Sequence, residues 1–70
     1  MIRWDTVESS NINMVGYDAE LEELHVKFNS GTEYVYSGVG AEVYGGLMRA
    51  PSKGKFLAAE IKGKYEYQRI

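Results

Sequence analysis

The sequence predicts a small α+β domain in which a mostly antiparallel sheet carries two short helices packed on one face. Apolar and polar residues alternate at residues 24–28 and again at residues 34–36, as they do in half-buried strands. Residues 41–48 instead repeat their apolar side chains at helical spacing. At 70 residues the chain has the size of one domain with a small core. The expected element order over residues 1–70 is β-β-β-α-α-β.

The N-terminal part is expected to form a lead-in followed by two strands. Residues 1–8 show no clear period, so an irregular segment is predicted there, with Trp4 on the edge of the core rather than free as a stacking residue. Residues 12–17 are predicted to form the first strand, in which Gly16 marks a candidate bulge. A turn over residues 18–21 leads to the second strand. Its core-facing residues are Leu24, Val26 and Phe28, and its polar, exposed ones are Glu23, His25 and Lys27.

The second and third strands are expected to form a hairpin. The turn at residues 29–31 contains Gly31, which can take positive φ. In the third strand Tyr34 and Tyr36 share one face and Val35 lies on the other. We expect the two tyrosines to pack under the helix that follows, because each has an apolar ring and a polar tip.

Two helices and a last strand complete the prediction. Gly45 and Gly46 weaken the first helix, over residues 41–48, by about 1 kcal/mol each and permit a close approach of another backbone. Ser52 is placed to cap a second helix over residues 53–62, which Gly63 ends. Residues 64–70 alternate again and are predicted to add a strand. The structural core motif is expected to be Tyr34, Tyr36, Val43, Tyr44 and Leu47.

Composition limits the chemistry that the chain can carry. With no cysteine, neither a disulfide framework nor a thiolate metal site is available. The apolar runs are too short for a membrane span, and the N-terminus lacks the apolar segment of a secretion signal, so a cytoplasmic location is expected. The single histidine, His25, lacks the converging partners that a zinc site needs. No nucleophile has an identifiable base, so we expect no enzyme and no cofactor.

Two further patterns have ordinary structural explanations. The segment Ser37-Gly38-Val39-Gly40 suggests a dinucleotide loop, but Val43 occupies the position of the third glycine and a parallel βαβ unit has no room. The acidic cluster at residues 18–23 lacks the ordered spacing of a calcium loop and is better explained as a solvated turn.

The formal net charge of −2 conceals a difference between the two parts of the chain. Residues 1–48 hold two basic and eight acidic residues, a sum of −6, whereas residues 49–70 hold six basic and two acidic ones, a sum of +4. The overall balance argues against a general nucleic-acid binder, because phosphate contacts come from clustered Lys and Arg. The C-terminal third could still present a basic face, or the two parts could simply attract each other on folding.

The strongest candidate binding site lies in that basic third. Lysines at a predicted helix start, followed by further basic residues interleaved with Tyr65 and Tyr67, form the mixture used to bind single-stranded nucleic acid. The candidate anion or RNA-binding residues are Ser52, Lys53, Gly54, Lys55, Lys62, Lys64 and Arg69. The competing explanation is a capped helix whose lysines are merely solvated.

Several short motifs, taken in this order, resemble one known family. They are Ser9-Ser10-Asn11-Ile12, Gly16-Tyr17-Asp18, Leu24-His25-Val26-Lys27-Phe28 with Gly31, Tyr34-Val35-Tyr36, Val43-Tyr44 with Leu47, and Ser52-Lys53-Gly54-Lys55-Phe56 with Ile61 and Tyr65. Over residues 8–70 the chain resembles the KTSC domain, which is named for the C-terminus of some lysyl-tRNA synthetases and also occurs as small free-standing bacterial proteins. Two departures are visible: Gly40 replaces a usual proline before the first helix, and residues 57–59 replace asparagine and other polar residues.

The resemblance implies a non-catalytic binding module, with RNA as the expected partner through the basic C-terminal face. The alternative is a module that binds another protein or a second copy of itself, since tyrosine is favoured at protein interfaces and a hairpin edge offers unpaired backbone.

Overall fold

The computed structural model describes residues 2–70 as one five-stranded antiparallel sheet with its helices on one face. The strands are β1 (Arg3–Thr6), β2 (Ile12–Asp18), β3 (Glu23–Phe28), β4 (Glu33–Ser37) and β5 (Tyr67–Arg69), and they lie side by side in sequence order. The helices, between β4 and β5, are α1 (Ala41–Arg49) and α2 (Lys53–Phe56), the latter continued by a π-helical segment (Leu57–Ile61). The predicted α+β class is confirmed.

The structure adds a strand inside the predicted irregular lead-in. β1 pairs with β2 in antiparallel register, with Trp4 opposite Gly16. The sequence did not reveal this strand because Trp4 is its only large apolar residue and three of its four residues are exposed. Gly16 is also not a bulge, since the register shift lies between Ile12 and Met14. A Cβ on Gly16 would lie 2.8 Å from the Trp4 ring, so the glycine makes room for the indole.

Strand register places the core on the helix-bearing face. Val26 lies between Val15 and Tyr34, and Leu24 between Tyr17 and Tyr36, so these side chains share that face. Leu47 of α1 and Leu57 and Ile61 of the π-helical segment pack against them. Tyr36 is 3% exposed, as predicted for a tyrosine beneath the helices, while Tyr34, Val43 and Tyr44 are half-buried at the core boundary.

Buried tyrosine contacts hold the β4–α1 connection against the sheet. The Tyr17 hydroxyl donates a hydrogen bond of 2.6 Å to the Val39 carbonyl, and Val39 is completely buried. The Tyr17 ring stacks on Tyr44 at 4.5 Å between centroids, and the Tyr44 hydroxyl donates to Asp5 of β1. The segment that suggested a dinucleotide loop therefore contributes a core residue.

The second helix begins as predicted and then widens. Ser52 caps it, because the hydroxyl accepts a hydrogen bond from the Lys55 amide at 3.4 Å. From Leu57 onwards the geometry is π-helical, and the Lys62 amide donates to the Leu57 carbonyl five residues earlier. The close neighbour of Gly46 is a side chain rather than the expected backbone, since a Cβ there would lie 3.0 Å from the Phe56 ring. None of the helices within residues 2–70 is long and apolar enough to cross a membrane.

Candidate nucleic-acid interface

A groove runs between strands β3, β4 and β5 on one side and α2 with its π-helical continuation on the other. Its central depression, here called the aromatic cavity, has a volume of about 160 Å³. The sheet side consists of Phe28, Tyr34, Tyr36 and Tyr67, and the helical side of Gly54, Leu57 and Ala58. Asn11 and Lys62 complete the lining with polar groups. The cavity therefore has aromatic walls and a polar margin.

The aromatic cavity is buried at its floor and open at its rim. Tyr36 and Leu57 are 3% and 4% exposed, whereas Tyr67 is 61% exposed. The Tyr34 ring stands nearly perpendicular to both Phe28 and Tyr67, at interplanar angles of 81° and 83°. Such edge-to-face packing fixes the rings against one another, so the cavity walls are largely preformed.

The Tyr36 hydroxyl is a neutral group at the floor of the cavity. Burial raises the pKa of Tyr36, and the neighbouring Tyr34 and Tyr67 hydroxyls add to that rise. The phenol consequently stays protonated throughout the neutral pH range and offers a hydrogen-bond donor rather than a negative charge.

A second depression, here called the lysine groove, continues from the aromatic cavity along the start of α2. The two share Asn11, Gly54 and Ala58. The predicted site residues Ser52, Lys53, Gly54 and Lys55 all line the lysine groove. Lys53 Nζ donates a hydrogen bond to the Ala50 carbonyl at 3.2 Å, and Lys55 is exposed. One carboxylate, that of Glu8, also lines this depression.

Of the remaining predicted site residues, one lines the aromatic cavity and two do not. Lys62 lines the cavity itself and a further depression beside the β3–β4 turn. Lys64 lines a depression that meets the cavity at Tyr67, and its ammonium lies 3.7 Å from Glu60. Arg69 lies opposite Tyr34 in the β4–β5 register and so belongs to the helix-bearing face. Six of the seven predicted residues thus border neighbouring depressions, whereas Arg69 lines none of them and shares only the helix-bearing face of the sheet.

Sequence reasoning did not single out Asn11 or Ala58 as site residues. Asn11 comes from the segment before β2 and meets α2 only in the folded chain, where a Cβ on Gly54 would lie 2.8 Å from Asn11 Oδ1. Ala58 belongs to the stretch that departs from the polar residues usual in the resembled family, and here it exposes a methyl group to the cavity. No local pattern marks either residue.

The prediction that His25 is exposed is wrong. His25 is 9% exposed, on the sheet face opposite the helices, and the Trp4 ring lies edge-on to it at 5.8 Å between centroids. Its ring nitrogens lie 3.7 Å from Glu23 and 3.6 Å from Glu33, on opposite sides of the imidazole, and neither makes a hydrogen bond. The Trp4 side chain, carried by the edge strand β1, packs against His25 on this face, which is why a polar position in the alternation is buried.

The acidic turn between β2 and β3 is organised by Asp18 rather than by a metal. Asp18 Oδ1 accepts hydrogen bonds from the backbone amides of Glu20 and Leu21 at 3.0 and 3.2 Å. The Leu21 hydrogen bond is the main reason that the pKa of Asp18 is below its ordinary value. Among residues 2–70, no group of three or more His, Asp or Glu side chains is arranged to hold a metal ion.

The fold and the groove together define a small α+β domain with an aromatic cavity at one edge of its sheet. A crystal structure of a KTSC domain protein from Yersinia pestis has this fold, with a TM-score of 0.96 at 34% identity, covering 100% of this chain and 99% of that one. The family model of the KTSC domain matches residues 8–65. The chain belongs to the KTSC domain family, which confirms the resemblance of its motifs.

Relatives of two kinds share this sequence. An uncharacterized protein of Stutzerimonas stutzeri is 38% identical over 65 residues, covering 91% of this chain and 92% of the relative. A lysine–tRNA ligase of Nostoc punctiforme is 35% identical over 63 residues, covering 90% of this chain but 11% of the ligase. The family fold therefore occurs both in proteins of this size and as a small part of a tRNA ligase.

Proposed function

We propose that this chain is a non-catalytic module that binds single-stranded RNA through the lysine groove and the adjoining basic residues. The observation that carries the proposal is the continuity of the groove: Lys53 and Lys55 line one depression and Lys62 the next, beside exposed Tyr67. Proteins that bind single strands combine a positively charged channel for the backbone with aromatic rings for the bases.

The charge distribution supports this surface in spite of the acidic total. Among the residues that the structure describes, Lys55 and Lys62 have no carboxylate within ion-pairing distance, so their charges remain available to phosphates. Five of the ten acidic residues lie elsewhere, at the β2–β3 turn and around His25, whereas Glu8 lines the lysine groove and Glu60 lies beside Lys64. A local basic channel on an acidic protein binds weakly and with a strong dependence on salt.

The relationship to lysine–tRNA ligases supports the same class of ligand. A region similar to nearly the whole of this chain forms part of an enzyme whose name gives tRNA as its substrate. As part of such an enzyme, a module with an RNA-binding groove would add contacts to the RNA. In a protein that consists of this module alone, the same groove would be the RNA-binding site.

The test is the salt dependence of binding to a labelled single-stranded RNA decamer, measured by fluorescence anisotropy. We expect the affinity of the double variant Lys53→Gln, Lys55→Gln to fall, with a shallower dependence on salt. Each lost phosphate contact lowers the slope of log affinity against log salt by about 0.7 for single strands, so two lost contacts lower it by about 1.4.

A matched control removes two positive charges from outside the groove. Arg3 belongs to β1 and Lys27 lies over the Trp4 ring at 5.6 Å, so the variant Arg3→Gln, Lys27→Gln has the same net charge without touching the lysine groove. It is expected to bind like the parent protein. Equal losses in both double variants would mean that total charge, not this groove, governs binding, and the proposal would fail.

A second candidate function, binding of another protein or a second copy at a sheet edge, is favoured by β5. All three residues of this edge strand are exposed, and Ile70 beyond it is 73% exposed. Such an edge offers unpaired backbone to an added strand. Multi-angle light scattering between micromolar and millimolar concentrations tests self-association, and a constant monomer mass would rule out the dimer.

A further inference from the structure

We propose that the aromatic cavity holds one unstacked base of a single-stranded RNA whose backbone lies in the lysine groove. This inference rests on the proposed function and adds to it the part of the RNA that is recognised. It assigns a role to Tyr67, Asn11 and Lys62 as the residues around one base.

The size of the cavity suits a single base. A cavity of about 150 Å³ in another protein accommodates benzene, whereas pockets for drug-sized ligands measure about 300–1,000 Å³. At about 160 Å³, and open at its rim, the aromatic cavity therefore has room for the flat ring system of one base.

The walls suit an unstacked base. Tyr67 presents an exposed ring at the rim, held at 5.4 Å between centroids against Tyr34, so a base entering the cavity contacts an aromatic surface that is already positioned. Stacking on such a ring does not depend on base identity, because every base has a π face.

The polar margin suits a base more than an apolar side chain. Asn11 Oδ1 accepts a hydrogen bond from Ser9 at 3.0 Å, while its amide nitrogen makes no hydrogen bond with any described residue and can donate to a base carbonyl. Lys62 stands at the same margin with its charge unpaired by the described carboxylates, in position for the adjoining phosphate.

The experiment compares three labelled decamers of equal charge, namely oligo(U), oligo(A) and an abasic strand, by fluorescence anisotropy. We expect the parent protein to bind oligo(U) about 5- to 150-fold more tightly than the abasic strand, the range of one stacked base, and oligo(A) also more tightly than the abasic strand, because every base has a π face. Tyr67→Ala should abolish this preference while leaving the salt dependence unchanged. Tyr67 is 61% exposed, so the variant should fold.

Two further variants keep the test decisive. Ile70→Ala removes another exposed apolar side chain near β5 that does not line the cavity, and it should bind like the parent. Ala58→Phe blocks the cavity from the exposed helical side and should remove the preference for oligo(U) even if Tyr67→Ala does not fold.

Failure of this inference differs from failure of the proposed function. Equal, salt-dependent binding of oligo(U) and abasic strands would overturn the base site while leaving RNA binding intact. Absence of binding to any decamer would overturn both. If a tyrosine amide competes for the cavity as well as uridine 5′-monophosphate does, the cavity is selective for aromatic rings in general, and the base proposal is also overturned.

Discussion

Replacing Tyr17 with phenylalanine tests how the β4–α1 connection is held to the sheet. The substitution removes one oxygen atom and keeps the ring that stacks on Tyr44. It removes the 2.6 Å hydrogen bond to the carbonyl of Val39, a completely buried residue. Burial raises the pKa of Tyr17, with Glu22 and Asp18 contributing, so the hydroxyl is a protonated donor throughout the neutral range.

The expected loss follows from leaving a buried acceptor without a partner. A typical hydrogen bond contributes about 0.5–1.5 kcal/mol net, and an unsatisfied buried group costs about 1–3 kcal/mol. We therefore expect Tyr17→Phe to lower the free energy of unfolding by about 1–3 kcal/mol, measured by urea unfolding with an unchanged m value. For a domain of this size each kcal/mol lowers Tm by about 4–8 °C.

Tyr44→Phe is the matched control for this prediction. The Tyr44 hydroxyl donates to Asp5 at 3.2 Å at a partly buried site, where water can replace the lost partner. Its loss should cost less than about 1 kcal/mol. The reasoning would be refuted if Tyr17→Phe cost no more than Tyr44→Phe, because the buried carbonyl would then have found another donor or the connection would not depend on it.

Two further substitutions test the packing of the sheet faces. Tyr36→Ala should lower the free energy of unfolding by about 3–5 kcal/mol, because the ring is 3% exposed beneath the helices. A loss below about 1 kcal/mol in chemical denaturation would place that ring outside the core. Gly16→Val should lower the free energy of unfolding by about 1–3 kcal/mol, because a Cβ at that position lies 2.8 Å from the indole of Trp4. The displaced indole should also shift its fluorescence emission to the red. An unchanged emission spectrum would show that β1 accommodates the valine side chain.

Local patterns predicted most of the fold. The alternation from Leu24 to Phe28 and the positive φ of Gly31 both follow from rules that act within a few residues, and both are present, with Gly31 at a φ of 95°. The strand β1 and the burial of His25 could not be predicted in this way. β1 has no apolar pattern of its own, and the burial of His25 involves Trp4, which lies 21 residues away in the sequence and packs edge-on against the imidazole.

The candidate site was predictable only in part, for a similar reason. The run from Ser52 to Lys55 is visible in the sequence because its residues are consecutive. The aromatic cavity is not, because it forms where Asn11 and Lys62, from opposite ends of the chain, approach the β4 tyrosines. Its floor also depends on the π-helical geometry from Leu57 onwards, and no residue preference in that segment predicts such a turn.

The strand order determines how this domain can be joined to another protein. Because the five strands lie in sequence order, β1 and β5 form opposite edges of the sheet, separated by four strand spacings or about 19 Å. The aromatic cavity lies on the β5 side. A polypeptide joined ahead of β1 would attach at the far edge and leave the cavity mouth unobstructed, whereas an extension after β5 would start beside it. Tolerance of fusion partners should therefore differ between the two ends of the chain.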